Sequence, residues 1–568
     1  MDAQQMNATR AWTASYAEGV PTDIEPVNDS MYDQLAWAAG AYADSPALEF
    51  FGAELTFAQL HDRVLRFAGG LRELGIGKGD RVALVMPNCP QHVIAFFAIA
   101  RLGAIVVEHN PLYTRSELLT QFSDHRARVT VAWDKVAPTV LSLAGDVDVD
   151  TVISVDMTKM MPLKMRALLK LPIAKAKESR AKLTAKAPGT VPFDKVAGHA
   201  PIEESHPKPT AEDIACFSYT SGTTSTPKGV MLTHSNLLSN GRQGAAWMPE
   251  FKKGKETIYS FLPMFHSFGM LLGVTYGVVS ASRVTLFPTF DPDLIVNASK
   301  GNPATFVPGV PPMYDRLARV AKDGNLDLSH AQYAMSGAMT LSDPVVNRWE
   351  AVAAGKLNEG YGLTEASPFL FANPFGPTRK IGTIGLPCPS THMKVVDPDD
   401  TSVEVELGEV GELIVKGPQV FQGYWNNDEE TAKTLLPDGW LRTGDLVTQD
   451  SDGFVTIVDR KKEIIITGGF NVSPSEVEQV ITGAPGVAEA AVVGIARGSS
   501  GAESITAVIV LEEGAQFDEE AVRAHAREHL SEHKVPRSYQ VWDELPKSLL
   551  GKVLRRQVKD RILAERSS

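Results

Sequence analysis

Alternating helix-like and strand-like segments fill the first part of the chain. Residues 58–74 carry apolar side chains at helical spacing and stop at Gly75, and residues 91–102 show the same spacing. Residues 81–86 and 104–107 are short apolar runs, which are typical of buried strands. Such alternation of helices and strands predicts an α/β arrangement in layers.

The alternation resumes at residue 213 and changes character near Asp459. The last stretch has strand-like segments at residues 490–494 and 506–511 and a helix-like segment at residues 519–532. These segments predict a small α+β unit after a boundary near Asp459.

Residues 157–186 interrupt this pattern with a cluster of cations. The segment holds seven Lys and two Arg but one Glu, in a chain of net charge −13. Apolar side chains are interleaved with the cations, as in an amphipathic helix at an anionic membrane surface, and Pro162 and Pro172 should break that helix into pieces. Two interpretations stay open, peripheral contact with a membrane and a solvated surface insertion. Residues 187–212, rich in Pro and polar residues, predict a linker.

Composition narrows the class of protein. A chain of 568 residues predicts two or more compact units, and its acidity argues against nucleic-acid binding, which needs clustered cations. Cys89, Cys216 and Cys388 form no CxxC pair, so neither a thiolate zinc site nor a disulfide framework is indicated. We find no signal-peptide pattern, and the longest apolar stretch, residues 93–107, contains Arg101 and falls short of the roughly 20 residues of a membrane span. These features predict a cytoplasmic enzyme.

A loop of small and hydroxyl residues follows the apolar run at residues 214–219. It reads TSGTTSTPKG over residues 220–229 and leads into another strand-like run at residues 230–234. Loops of this kind turn backbone N–H groups and hydroxyls toward a concavity, where those donors suit phosphate oxygens, and Lys228 adds a positive charge. It is not a Walker A loop, because no GxxxxGK[ST] occurs.

Seven further motifs follow along the chain. They are LPMFHSFG at 262–269, SGAMTL at 336–341, EGYGLTE at 359–365, GELIVKGP at 411–418 with GYW at 423–425, WLRTGD at 440–445, DRKKEIIITGGFN at 459–471 and LPKSLLGK at 545–552.

With the loop, these eight motifs stand in the order of the adenylate-forming superfamily, which the chain resembles over residues 30–558. That superfamily contains acyl-CoA synthetases, firefly-type luciferases and the adenylation domains of peptide synthetases. One position departs, since Ser225 stands where the family usually has Gly, and Gly tolerates positive φ and close approach of a phosphate better than Ser does.

The resemblance implies an α/β fold with a large N-terminal adenylate-forming domain of layered β-sheets and helices and a small mobile α+β C-terminal domain. The first would span residues 1–458, including the basic insertion and linker at 157–212, and the second residues 463–568. Residues 459–462 match the hinge of the family, with Lys462 at the pivot.

The resemblance also implies a two-step reaction. A carboxylic acid and ATP give an acyl-adenylate and pyrophosphate, and the thiol of coenzyme A then releases AMP. The first step brings two anions together, so it needs a metal and cations. Lys552, Lys228, Glu365 and Thr364 are the expected catalytic residues, with Glu365 and Thr224 as ligands of Mg²⁺.

Further roles follow from the same motifs. The expected ATP-binding residues are Thr220, Ser221, Gly222, Thr223, Thr224, Lys228, Gly337, Ala338, Glu359, Gly360, Tyr361, Gly362, Thr364, Asp445 and Arg460. Gly468 and Gly469 would let the pantetheine arm of coenzyme A pass close to the backbone.

For the acid, the strings at 47–52 and 109–118 resemble the bacterial long-chain fatty-acid branch of the family. The expected acyl-binding residues are His266, Phe268, Met270, Val310, Met339 and Leu363. A medium-chain or aryl-CoA ligase stays open, as does a catalytically weak nucleotide-binding member of the fold. Monomer and homodimer both stay open. The expected location is the cytoplasm, with association at the inner face of the membrane under the first interpretation of residues 157–186.

Overall fold

A computed structural model of the chain describes residues 3–220, 227–467, 470–496, 503–548 and 551–567. The chain divides into two compact units. Unit 1 comprises Met1–Trp12, Met393–Val415 and Arg442–Ser568, and unit 2 comprises Thr13–His392 and Lys416–Leu441. The first helix, α1 (Ala3–Thr9), belongs to unit 1.

Unit 2 is an α/β body. Its strands are β1 (Pro46–Phe50), β2 (Ala53–Thr56), β3 (Arg81–Val85), β4 (Ile105–His109), β5 (Val129–Trp133), β6 (Thr151–Val155), β7 (Val191–Pro192), β8 (Ile214–Thr220), β9 (Lys228–Thr233), β10 (Thr257–Ser260), β11 (Arg283–Leu286), β12 (Phe306–Gly309), β13 (Tyr333–Ser336), β14 (Leu357–Gly362), β15 (Phe369–Ala372) and β16 (Leu386–Pro387). Its helices are α2 (Met31–Ala41), α3 (Phe57–Glu73), α4 (Pro90–Arg101), α5 (Arg115–His125), α6 (Ala137–Leu141), α7 (Leu163–Leu169), α8 (Ala174–Leu183), α9 (Phe193–Ala197), α10 (His234–Trp247), α11 (Ser267–Met270), α12 (Tyr276–Val279), α13 (Pro292–Ser299), α14 (Pro311–Lys322), α15 (Asp343–Glu350) and α16 (Asp428–Thr434).

Two large sheets organise unit 2. One has the order β7-β6-β5-β3-β4-β8-β9 and is parallel apart from β9, which runs antiparallel to β8. The other has the order β16-β15-β14-β13-β12-β10-β11-β1-β2, with a parallel centre from β14 to β1. Parallel sheets are covered on both faces, so both sides of each strand are shielded from water. Short runs of consecutive apolar residues are therefore suited to these strands.

Helix α4 is part of this covering, and every residue from Pro90 to Arg101 is buried. A helix that is apolar nearly all round is typical of such a core position. Its last residue, Arg101, donates to the carbonyl oxygens of Glu203, His206 and Pro207. Residues 187–212, expected as a linker, are therefore held against the body, and they also form β7 and α9, whose Phe193 stacks on Phe67.

Unit 1 contains smaller sheets. Its strands are β17 (His392–Val396), β18 (Gly411–Lys416), β19 (Leu441–Gln449), β20 (Val455–Arg460), β21 (Ile465–Thr467), β22 (Phe470–Val472), β23 (Val487–Ala496), β24 (Glu503–Leu511) and β25 (Ser538–Val541), and its later helices are α17 (Pro474–Thr482), α18 (Glu519–His529) and α19 (Arg555–Ser567). The sheets have the orders β17-β18-β19-β20, β21-β22 and β23-β24-β25.

The β23-β24-β25 sheet is covered on both faces. Val492 and Ile505 pack in one cluster with residues of α17 and α18, while Val493 and Val508 pack in another with residues of α19. Because successive side chains of a strand point to opposite faces, alternate residues of β23 serve the two clusters. The strands expected at 490–494 and 506–511 are confirmed within β23 and β24. The helix expected at 519–532 is confirmed as α18, which ends earlier than expected, at His529.

The four elements expected in the first part of the chain are also confirmed, as α3, β3, α4 and β4. The basic segment is helical in pieces, with breaks at Pro162 and Pro172 as expected. Among the described residues, the structure has no helix that is long and apolar enough to cross a membrane.

The expected domain boundary at residue 459 falls inside unit 1. Strand β20 runs through this position and pairs with β19, so that Asp445 lies opposite Arg460, and both strands belong to unit 1. The hinge at residues 459–462 stays a prediction.

Candidate active site

The carboxyl ends of parallel strands gather most of the candidate residues of unit 2. Strands β10, β12, β13 and β14 lie in one sheet. The segment at 262–270 comes after β10, Val310 after β12 and the segment at 337–341 after β13, and the segment at 360–365 contains the end of β14 and the residues that follow it. Ligands of α/β proteins bind beyond this edge of the sheet. The structure therefore brings motifs that are distant in sequence to one edge.

Close packing ties these segments together. A Cβ atom added to Gly337 would lie 3.0 Å from Cε1 of Phe268 and 3.4 Å from the carbonyl oxygen of Gly360. One added to Gly362 would lie 1.7 Å from the carbonyl oxygen of Pro368, closer than any real contact. Glycine is needed at 362 because the backbone of the neighbouring segment occupies the place of a side chain.

The expected acyl-binding residues differ in exposure. Met270 and Val310 are buried, and Phe268, Met339 and Leu363 are half-buried. His266 is exposed, and its Nδ1 accepts a hydrogen bond from the backbone N–H of Phe268 at 3.3 Å. His266 therefore caps α11, and that hydrogen bond requires a neutral Nδ1.

Glu359, expected to bind ATP, is buried and uses its carboxyl group within the protein. It accepts hydrogen bonds from the backbone N–H groups of Leu341, at 3.3 Å, and Gly382, at 2.9 Å. Burial raises the pKa of Glu359 to about 7, although these hydrogen bonds act in the opposite direction. Glu359 thus positions the loops that flank the strand ends.

Two further candidates, Tyr361 and Ala338, belong to the segments at the same edge. Tyr361 is half-buried and meets Phe371 edge to face, with ring centroids 5.9 Å apart. Ala338 is exposed and has φ of 65°, a left-handed conformation that is uncommon for alanine and that often marks functional sites.

A chain of polar contacts joins Lys228 to Glu365. The hydroxyl of Tyr424 donates to Oε1 of Glu365 at 2.8 Å, and the ammonium of Lys228 lies 4.8 Å from the centre of the Tyr424 ring. Lys228 also donates to Oε2 of Glu430 at 2.8 Å. Burial and the Glu365 carboxylate raise the pKa of Tyr424, which remains a hydrogen-bond donor. Thr364 Oγ1 lies 3.3 Å from Ser267 Oγ.

Tyr424 and Glu430 were not among the expected site residues. Tyr424 lies in the GYW motif, which was a usable signal, whereas Glu430 follows that motif and lies outside all eight. The pair formed by Lys228 and Glu430 joins residues that are 202 positions apart, so local pattern gave no sign of it.

The phosphate-loop candidate is described only at its ends. Thr220 closes β8 and lies opposite Lys228 of β9 in the antiparallel pair, so the strands bring the two ends of the loop together. Ser221, Gly222, Thr223, Thr224 and Ser225 lie outside the described residues, as do Gly468 and Gly469.

In unit 1 a second set of candidates lies close together. Arg460 Nε is 3.1 Å from Oδ1 of Asp445, which is buried. Lys552 is half-buried. Burial and the positive charge of Arg460 lower its pKa, whereas the negative charges of Glu463 and Asp445 raise it. Asp445, Arg460 and Lys552 therefore share one electrostatic neighbourhood, whereas Lys462 is exposed.

Arg555 lies beside this set and was not expected. It donates to both carboxyl oxygens of Glu478, at 2.8 and 2.5 Å, and pairs with Glu463 and Asp459. Asp459 also accepts from the hydroxyl of Ser473 at 2.6 Å. These bonds tie the segment at 459–463 to α17 and α19.

The oxygen donors of unit 2 fit a magnesium ion. Mg²⁺ prefers hard oxygen ligands and commonly takes one or two carboxylates together with waters and substrate phosphates. Glu365 offers a carboxylate and Thr364 an adjacent hydroxyl. Within the described part of the chain, no group of three or more His, Cys, Asp or Glu side chains could hold a metal by itself.

Comparison with known proteins gives consistent matches. The sequence model described as "AMP-binding enzyme" matches residues 35–425, and that described as "AMP-binding enzyme C-terminal domain" matches residues 476–552. A long-chain-fatty-acid–CoA ligase of Bacillus subtilis (strain 168) is 37% identical over 564 residues, covering 97% of this chain and 98% of the relative. A feruloyl-CoA synthase of Amycolatopsis sp is 32% identical, covering 91% and 95%.

Among solved structures, ATP-bound MatB from Rhodopseudomonas palustris superposes with a TM-score of 0.80 at 29% identity, covering 93% of this chain and 98% of that one.

Proposed function

The chain belongs to the family of AMP-binding enzymes, and from that premise we propose that it is an ATP-dependent fatty acyl-CoA synthetase acting on long-chain acids. The observation that carries the proposal is the likeness to a long-chain-fatty-acid–CoA ligase across almost the whole of both chains. The apolar side chains of Phe268, Met270 and Val310 beside the strand ends support an acyl chain as substrate.

In the first step, a carboxylate oxygen of the fatty acid attacks the α-phosphorus of ATP. The bond from that phosphorus to the oxygen bridging it to the β-phosphate breaks, and pyrophosphate leaves. Two anions must approach each other, so cations that are already in place reduce the barrier. We assign Lys228 to the phosphates and Lys552 to the approaching carboxylate. Lys552 suits this role because burial lowers its pKa, so that its charged form gains from pairing with an anion.

Magnesium, when bound, would neutralise phosphate charge and make the α-phosphorus more electrophilic. We assign Glu365 to hold it, with Thr364 and the loop residue Thr224 offering hydroxyls. Tyr424 would fix the rotamer of Glu365 through its 2.8 Å hydrogen bond.

In the second step, the sulfur of coenzyme A attacks the acyl carbonyl carbon. The bond from that carbon to the adenylate oxygen breaks, AMP leaves and the thiol proton is released. We assign Asp445 and Arg460 to the ribose and phosphate of the nucleotide, Gly468 and Gly469 to the pantetheine arm, and Lys462 to a pivot between the steps.

An aryl acid is the second candidate substrate. The likeness to a feruloyl-CoA synthase favours it, but at lower identity and lower coverage than the fatty-acid ligase.

A panel of acids tests the proposal. AMP and acyl-CoA would be measured with acetate, octanoate, palmitate, oleate and ferulate, with and without coenzyme A. We expect palmitate or oleate to give the highest kcat/KM. Glu365→Gln should lose most activity, whereas Glu429→Gln, which removes an exposed carboxylate of α16, should keep it. Turnover confined to ferulate would replace the fatty acid with the aryl acid, and no AMP from any acid would contradict the proposal.

A further inference from the structure

Helices α7 and α8 form an exposed surface that the proposed reaction does not use. We call residues 163–183, which comprise these helices and their connection, the α7–α8 platform. No residue of α7 is buried, and Ala176 is the one buried residue of α8. Most of the platform therefore faces water, although it is rich in apolar side chains.

Its exposed apolar residues are concentrated. Leu163 is 79% exposed, Leu168 46% and Ile173 55%, and Met165 and Leu171 are exposed as well. Exposed large apolar side chains elsewhere in the described chain are mostly scattered singly, which is ordinary for a protein surface. Five of them within eleven residues mark a contact surface.

The charge of the platform selects the kind of partner. Its cations are Lys164, Arg166, Lys170, Lys175, Lys177, Arg180 and Lys182, and its one acid is Glu178, in a chain of net charge −13. Glu178 pairs with Lys182 at 2.9 Å. The cations favour an anionic partner, whereas the acidity of the rest of the chain would repel one.

Both ends of the platform are fixed to the body of unit 2. Before it, Gln91 donates to the carbonyl oxygen of Asp156 at 3.0 Å, and Lys159 pairs with Asp194 at 2.5 Å. At its end, Trp133 Nε1 donates to the carbonyl oxygen of Leu183 at 2.9 Å. The helices are therefore held on the surface by both flanks rather than hanging from one.

We propose that the α7–α8 platform docks the protein on an anionic phospholipid membrane. The Lys and Arg side chains meet the lipid phosphates, while Leu163, Leu168 and Ile173 enter the boundary between headgroups and acyl chains. Interfacial helices bind by adding buried apolar area to electrostatic attraction, and this surface offers both. The inference concerns the membrane alone and does not depend on which acid the enzyme uses.

Vesicle sedimentation of the full chain tests the electrostatic part. Phosphatidylcholine vesicles with and without phosphatidylglycerol would be compared for the wild type and the variant Lys164→Glu/Arg166→Glu/Lys170→Glu. At about five-fold per basic residue near the surface, the variant should bind the anionic vesicles at least about 100-fold more weakly. The matched control, Lys252→Glu/Lys300→Glu/Lys322→Glu, makes the same change of charge at exposed positions of unit 2 outside the platform and should bind much more strongly than the platform variant.

The apolar part has its own variant and control. Leu163→Ser/Leu168→Ser/Ile173→Ser should weaken binding to anionic vesicles about 100-fold, at several-fold or more per apolar side chain withdrawn from the bilayer. Leu74→Ser/Leu112→Ser/Ile381→Ser removes exposed apolar residues elsewhere and should leave binding unchanged. All variants should keep the wild-type rate with octanoate, a soluble acid, which would show that they are folded.

Site-directed labelling locates the contact. The three native cysteines are buried, so a polarity-sensitive dye can be directed to Leu168→Cys. We expect its emission to shift to the blue with anionic vesicles, and the same dye on Leu112→Cys to stay unshifted. The proposal would be overturned if the wild-type protein did not bind anionic vesicles, if platform and control variants lost binding equally, or if the dye shifted equally at both positions. Any of these results would leave a protein as the alternative partner for this surface.

Discussion

The ion pair of Lys228 and Glu430 should oppose ATP binding. The Lys228 ammonium is expected to meet phosphate, yet in the structure it donates to Glu430 at 2.8 Å. The pKa of Glu430 is lowered by Lys228 and further by Lys433, so the carboxylate is ionised at neutral pH. ATP binding must therefore break the ion pair between Lys228 and Glu430, which costs free energy. Glu430→Gln should remove that cost.

The expected magnitude follows from the exposure of the pair. The side chains are 11% and 24% exposed, so solvent screens them less than a surface pair, and a surface pair is worth about 0.2–1 kcal/mol. Lys433 stays beside Glu430 at 3.2 Å and shares its charge. We take about 1 kcal/mol as the free energy needed to break the ion pair. Removing this cost corresponds to about five-fold tighter binding of ATP.

Calorimetric titration with ATP and Mg²⁺, without an acid, would measure the dissociation constant. Glu429→Gln is the matched control, because it makes the same change of charge one residue away at a side chain that is 82% exposed and pairs with Lys433. Glu430→Gln should bind ATP more tightly than both the wild type and this control. In a Lys228→Gln background the gain should disappear. Weaker ATP binding by Glu430→Gln, or an equal gain in the Lys228→Gln background, would refute the reasoning.

Three further predictions concern other parts of the chain. Lys552→Ala should slow adenylation about 100-fold or more but leave thioester formation from supplied acyl-adenylate largely intact. Lys547→Ala is the control and should change neither reaction, and equal loss in both partial reactions of Lys552→Ala would contradict the assignment. Burial raises the pKa of Glu359 to about 7, so the contribution of this side chain to stability should be complete at low pH and lost as the pH rises through about 7. The urea concentration at the unfolding midpoint should therefore fall more with rising pH for the wild type than for Glu359→Gln. Arg555→Leu leaves the buried Asp459 and the partly exposed Glu463 and Glu478 without their cation. It should destabilise unit 1 by about 3 kcal/mol, seen as faster hydrogen exchange in α17 and α19, whereas Arg556→Leu, whose ion pair is exposed, should change exchange little.

The sequence predicted those parts of the fold whose causes are local. The helices and strands at 58–107 and 490–529 follow from apolar spacing. The family motifs indicated residues that bind ATP or the acid, and the fold brings several of those motifs to one edge of a sheet. Residues 187–212 were expected as a linker from their composition, and they are largely irregular. Their attachment to the body depends on Arg101, a buried cation satisfied by three backbone carbonyls from a distant segment, which no local pattern reveals.

Within the site, the sequence indicated which residues matter better than it indicated what each one contacts. Glu359 stands in a motif that suggests nucleotide binding, and its carboxyl group holds two loops. The partner of Lys228, Glu430, and the partners of Arg555 are set by tertiary packing across 202 and up to 96 positions. Such long-range pairing needs the fold, because neither member carries a signal in its own neighbourhood.

In the proposed reaction, the acid is activated as an acyl-adenylate before coenzyme A attacks. The most direct measurement uses palmitate labelled with oxygen-18 in its carboxylate, with ATP, Mg²⁺ and coenzyme A, and locates the label by mass spectrometry. Each AMP formed should carry one labelled oxygen, because the carboxylate oxygen bound to the α-phosphorus leaves with AMP. Unlabelled AMP with labelled inorganic phosphate or pyrophosphate would contradict it.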